Sequence, residues 1–213
     1  MPHFIDKMSE IKDKILTEAE LLFMRYGFKS ITMDDVAREL GVSKKTLYQF
    51  FSDKNDLVNQ CVEHYLETMN TMCCSVVENK DLDAISVMLQ ISEQMNAMIR
   101  QINPSSMFDL KKYFKPAWDK LEADRRSFIK RVIQDNILLG VKKGLYRKDL
   151  DAETVSRIYI YLVGFLTNPD NYDQEGMDIK EMHLEIVKYH LRSISTAKGH
   201  ELLDEKLLAT RNK

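Results

Sequence analysis

The sequence predicts an all-α fold of about nine helices. An N-terminal three-helix helix-turn-helix domain is followed by a larger helical domain, and three observations carry this expectation. First, 213 residues contain only seven Gly and four Pro, so long stretches run without helix breakers. Second, apolar residues recur at helical spacing through nearly the whole chain, with almost no alternating polar and apolar run of the kind a half-buried strand needs. Third, residues 32 to 54 read as a helix, a tight turn, a second short helix and the cap of a third.

Each element has a local cause. Ile11, Ile15, Ala19, Leu22 and Phe23 lie on one face of a helix from about Ser9 to Tyr26, which Gly27 stops. Thr32 with Asp35 three residues later forms a capping box, and Val36, Ala37 and Leu40 share the buried face that follows. Gly41 ends that helix and Ser43 caps the next. There Leu47, Phe50 and Phe51 bury one side, while Lys44, Lys45, Tyr48 and Gln49 point elsewhere. Ser52 or Asp53 then starts a long connecting helix to about Glu78.

A second helix-rich region begins near Asp81. Its segments run from Leu82 to Ile102, from Ser105 to Phe114, and from Pro116 to Lys143, where cations sit at the negative helix end. Asp151 caps a helix closed by Asn168-Pro169, and after a loop to Gly176 another runs from Asp178 to about Ile194. The tail from Ala197 carries Leu202, Leu203, Leu207 and Leu208 and has the pattern of a short amphipathic helix. The expected division is a helix-turn-helix domain over 1–52, with the connecting helix starting near 53, and a larger helical domain over 53–213.

Composition narrows the function classes. Net charge is −2 overall and −1 over residues 1 to 60, so the basic signal is local: Lys44, Lys45 and Lys54 crowd one edge. Such an edge suits phosphates, with modest non-specific DNA affinity. No secretion signal is evident, and the longest apolar run, Ile158 to Leu166, falls far short of the roughly 20 residues of a membrane helix. A cytoplasmic protein without a membrane partner is expected. Three cysteines, Cys61, Cys73 and Cys74, suggest free thiols in a reducing compartment. Cys61, His64 and Glu67 could share a helix side, but they lack a fourth ligand, so no metal is expected. His183 and His190 are about 10 Å apart along their helix, too far to share an ion. With no GxSxG, HExxH, GxGxxG or phosphate-loop pattern, neither an enzyme nor a cofactor is implied.

Thr32, Val36-Ala37, Gly41-Val42-Ser43, Thr46-Leu47-Tyr48, Phe51, Lys54 and Leu57 together resemble the N-terminal signature of the tetracycline-repressor (TetR) family of bacterial transcription regulators. The resemblance covers residues 9 to 62, about a quarter of the chain, with two departures: Lys45 stands where the family often has Gly, and Phe50 where it often has His or Tyr. It implies that Thr32, Ser43, Thr46, Tyr48 and Lys54 hold the DNA backbone while Lys44, Lys45 and Gln49 enter the major groove. It also implies a homodimer on a palindromic operator, most often a repressor, released by a small-molecule effector, with residues 53–213 as the ligand-binding and dimerisation domain. The last two long helices would form the interface, with Ile158, Tyr161, Gly164, Phe165, Ile186 and Leu191 as candidates.

The effector pocket is sought among a methionine-rich stretch and the aromatics after it, at Met69, Met88, Met95, Phe108, Trp118 and Phe128. Adaptable, polarizable side chains suit an apolar or aromatic ligand, although core packing accounts for each of them equally well. The alternative is an all-helical small-molecule-binding or enzymatic protein whose N-terminal helices do not bind DNA.

Overall fold

The computed structural model describes residues 2–100, 102–171 and 178–211. Ten α-helices lie among them: α1 Pro2–Tyr26, α2 Met33–Glu39, α3 Lys44–Phe50, α4 Lys54–Val77, α5 Ala84–Ile99, α6 Pro104–Tyr113, α7 Lys115–Lys142, α8 Ala152–Thr167, α9 Ile179–Ile194 and α10 Ala197–Arg211. The described residues contain no strand, only an isolated antiparallel bridge between Tyr146 and Ser195. The expected loop before Gly176 covers residues 172–177, outside the described residues. The tail helix is present as the tenth.

The chain forms two compact units, and they do not follow a boundary near residue 53. The first comprises Met1–Met69 with Gln101–Asp124, the second Asn70–Arg100 with Arg125–Lys213. The helix pattern alone could not place residues 102–124 beside α1, because that association rests on contacts between residues some 80 positions apart. The backbone N–H of Asn103 and the hydroxyl of Ser106 donate to the Met24 carbonyl, at 2.9 and 2.8 Å. They satisfy an acceptor that the end of α1 would otherwise leave open.

α1 stops where Gly27 takes φ +93°, a left-handed conformation that favours glycine. A Cβ there would also stand 2.8 Å from the Asp109 carboxylate, so α6 closes over the turn.

Across the first unit, α1 and α4 share a partly buried polar pair: Glu20 Oε1 lies 2.6 Å from His64 Nδ1, one helical turn from the buried Cys61. Burial pushes the Glu20 carboxyl up to about 7, against the lowering influence of His64. The folded state therefore binds a proton that the unfolded chain gives up near the usual carboxylate range. Stability from this group is present below that range and is lost as pH rises from about 4.5 to about 7. Glu20→Gln should flatten this slope in thermal denaturation between those two values. A variant retaining the wild-type slope would place the titration elsewhere.

The second unit has a core of Ile85, Met88, Ile133, Ile137, Tyr146, Val187, Leu191 and Leu203, contributed by α5, α7, α9, α10 and the turn after α7. The Tyr146 hydroxyl donates to Asn136 Oδ1 at 2.9 Å, and Asn136 Nδ2 donates to the Ala84 carbonyl at 2.8 Å. The tail helix seals this core: Leu203 is fully buried and Lys206 pairs with Asp83, the N-cap of α5, at 3.1 Å.

Candidate nucleic-acid interface

Two short helices and the start of a third make the candidate reading edge, and capping positions each of them. Thr32 caps α2 by accepting from the Asp35 N–H, while the Asp35 carboxylate accepts from the Thr32 N–H at 2.9 Å and from its hydroxyl at 2.6 Å. These bonds, with Arg38 alongside, hold the Asp35 carboxyl well below the usual carboxylate range. The Val42 N–H donates to the Ala37 carbonyl at 3.0 Å, and Gly41 turns the chain at φ +64°. Ser43 caps α3, its hydroxyl oxygen 3.0 Å from the Thr46 N–H and 2.7 Å from the Thr46 hydroxyl.

α3 is rooted by Leu47, which is fully buried. That orientation leaves Lys44, Lys45, Tyr48 and Gln49 exposed on one side of a seven-residue helix. Phe50 is half-buried, its ring 6.2 Å from that of Phe51, so packing explains its presence.

Two of the cations expected at DNA have partners inside the protein. Lys44 pairs with Asp34 of α2 at 2.6 Å, both exposed, and this bond raises the Lys44 ammonium's pKa. It would have to give up this weak pair to reach a base. Lys54 donates to the Lys29 carbonyl at 3.1 Å, and its ammonium lies 5.5 Å from the centre of the Phe114 ring. Partial burial lowers its pKa, opposed by attraction to Asp109 and Asp35. Lys54 thus ties α4 to the loop after α1, a role local sequence pattern could not signal. Lys45 and Gln49 are the unencumbered groove candidates, and Thr32, Ser43 and Thr46 present hydroxyls at the starts of α2 and α3.

The other expected sites fall less neatly. Of the six pocket candidates, Met69, Phe108 and Trp118 belong to the first unit and Met88, Met95 and Phe128 to the second. Phe108 is exposed, because α6 buries the stripe Ser106, Met107 and Leu110 and leaves Phe108 off it. Met88 is part of the second unit's core.

At the expected dimer face, Ile158, Tyr161 and Phe165 of α8 do point outward, with Tyr161 77% exposed. Ile186 and Leu191 are a correction: both are buried within the chain, where α9 packs on α5 and α8. The outward apolar residues of α9 are instead Met182 and Tyr189, seven apart, with Tyr189 69% exposed. Both stripes of α9 are apolar, so periodicity alone did not say which faces inward. Among the described residues a Cβ on Gly164 would meet nothing within 4 Å, so packing within the chain does not require that glycine.

Among the described residues no group of three or more His, Cys, Asp or Glu could hold a metal ion, and no helix is long and apolar enough to cross a membrane.

Residues 15–61 match the family model for bacterial regulatory proteins of the tetR family. The chain is 34% identical over 110 residues to the uncharacterized HTH-type transcriptional regulator YvaF of Bacillus subtilis, covering 52% of this chain and 57% of that protein. It is 30% identical over 80 residues to IcaR of Staphylococcus aureus, a negative transcriptional regulator of a biofilm operon, covering 38% of this chain and 42% of IcaR. The matches thus span about half the length of these relatives or less.

Among solved structures, a TetR-family regulator from Agrobacterium tumefaciens superposes with a TM-score of 0.68 at 16% identity, covering 89% of this chain and all of that one. A Saccharomonospora viridis protein assigned as a transcriptional regulator, solved with choline, gives 0.72 at 21% identity, covering 88% and 99%. At such identities these superpositions speak for the fold. Residues 15–61 thus match the reader of bacterial regulatory proteins of the tetR family, and the all-helical architecture is similar to that of solved transcriptional regulators, one of them of the TetR family.

Proposed function

We propose that this protein is a ligand-responsive transcriptional repressor that binds a palindromic operator as a homodimer. The carrying observation is α3 itself. It is a helix capped by Ser43, rooted by the buried Leu47, and presenting Lys45, Tyr48 and Gln49 to solvent beside the capped start of α2. Hydroxyls and helix N-termini suit phosphates, Lys suits guanine O6 and N7, and Gln suits adenine. Repression is supported by IcaR, whose name is that of a negative regulator.

The homodimer is supported by the exposed apolar side chains of α8 and α9, namely Ile158, Tyr161, Phe165, Met182 and Tyr189, on two helices that pack together. An effector is supported by polar atoms buried in the second unit with no hydrogen-bond partner among the described residues, including Ser92 Oγ and Gln94 Oε1 on α5 and His190 Nε2 on α9. Burial lowers the His190 pKa to about 4, so its ring is neutral and can accept or donate one bond. This favours an apolar or aromatic molecule that carries a polar group, and the choline bound by the Saccharomonospora viridis protein shows a related fold holding a small molecule. Release would follow if the effector prefers the subunit arrangement that spaces the two readers badly for B-DNA.

Base-by-base competition with duplex variants tests the residue roles. Lys45→Ala and Gln49→Ala should each relax preference at particular positions by about 1–3 kcal/mol. Tyr48→Phe should weaken all duplexes alike. An equal loss of preference from all three would remove the distinction between anchoring and reading.

A further inference from the structure

Beside the reading edge lies a second cationic surface that the helix-turn-helix does not include. It is built from the loop after α1 and the last turn of α6, both within the first unit. Lys29 Nζ donates to the Tyr113 hydroxyl at 3.2 Å and lies 4.7 Å from the centre of that ring. Lys112 Nζ lies 5.4 Å from the Tyr113 ring and 5.2 Å from the Phe108 ring. All four side chains are exposed. Among the described residues neither ammonium has a carboxylate partner: Asp109 of α6 is turned onto the backbone N–H of Lys29 at 2.9 Å.

The surface is continuous with the edge expected to hold DNA. Lys54 of that edge donates to the Lys29 carbonyl, and Lys29 lies three residues before Thr32, the cap of α2. Three ammonium groups, those of Lys29, Lys54 and Lys112, are therefore gathered around the adjacent aromatic rings of Tyr113 and Phe114. Aromatic faces hold such cations in place without neutralising them. The gathered like charge favours a polyanion, and less ordering entropy remains to be lost when one binds.

We propose that Lys29 and Lys112, set in place by Tyr113 and Phe108, form an accessory phosphate-contact surface that extends the protein's footprint along the DNA backbone beyond the helix-turn-helix. The inference rests on the reading of this chain as a DNA binder. It adds affinity without base choice, since a lysine on a phosphate carries no sequence information. It also gives the sequence in α6 a role that neither capping nor core packing supplies: Phe108, Lys112 and Tyr113 lie off the buried stripe of that helix.

The test is the salt dependence of duplex binding, read by fluorescence anisotropy between about 50 and 200 mM salt with the full-length protein and an operator-bearing fragment selected by the wild type. Lys29→Ala and Lys112→Ala each remove two ammonium groups from the homodimer, so each should reduce the log–log slope by about 1.8 and lower affinity on the order of fiftyfold near 0.1 M salt. Base preference should stay unchanged. Lys120→Ala, a lysine of the same unit already paired with Glu63 and Asp124, should leave the slope alone. Lys29→Arg and Lys112→Arg should restore it. An unchanged slope in the alanine variants of a wild type that binds the duplex overturns this inference alone, and so does a loss that arginine fails to restore. A wild-type protein that binds no duplex overturns the DNA reading and takes the inference with it.

Discussion

Gly140→Ala should cost the second unit about 3 kcal/mol or more, lowering its urea midpoint and its melting temperature. A Cβ at this position would stand 1.9 Å from the Tyr146 ring, far inside contact distance. The ring cannot yield. Tyr146 is fully buried, its N–H and that of Leu145 both donate to the Gly140 carbonyl, and its hydroxyl is committed to Asn136. Making room for one methyl group would mean overpacking the core or breaking the Tyr146–Asn136–Ala84 chain, which strands buried polar atoms. A loss below about 1 kcal/mol would mean that this corner of the core can repack, contrary to the arrangement described.

Leu47→Ala should remove DNA binding through the reader while the second unit keeps its own stability. Truncating a fully buried leucine costs about 2–5 kcal/mol. α3 has seven residues, too short to persist in water by propensity alone, and Leu47 is the side chain that roots it. Losing that anchor lets the helix carrying Lys45, Tyr48 and Gln49 detach from α2. Duplex affinity and thermal denaturation of the same sample check this. Wild-type affinity in Leu47→Ala would show that the exposed face of α3 is not what holds DNA.

How much of this was legible in the sequence varied with the range of the interaction. Local chemistry was readable: the Thr32–Asp35 box, the Ser43 and Asp151 caps, and the glycine stops at 27 and 41 all appear where their residue types require. Those signals depend on residues at most four apart. The Lys44–Asp34 pair was out of reach because it depends on how α2 and α3 cross. The Lys54 bond to the Lys29 carbonyl spans 25 positions, and the Asp109 bond to the Lys29 N–H spans 80.

On α9, two apolar stripes competed for the same inference. Packing against α5 and α8 settled it by burying Ile186 and Leu191 and leaving Met182 and Tyr189 outside. Methionine enrichment was weaker still as a signal. Met69 and Met88 are buried, but in different units.

In the proposed function, two copies of the segment from Thr32 to Lys54 read DNA together. Selection of genomic fragments by the purified, ligand-free protein at low salt tests it most directly. Enrichment of an inverted repeat is expected, with half-sites about one helical turn, roughly 34–36 Å, or a multiple of that apart. Enrichment of no inverted repeat by folded, dimeric protein would contradict it.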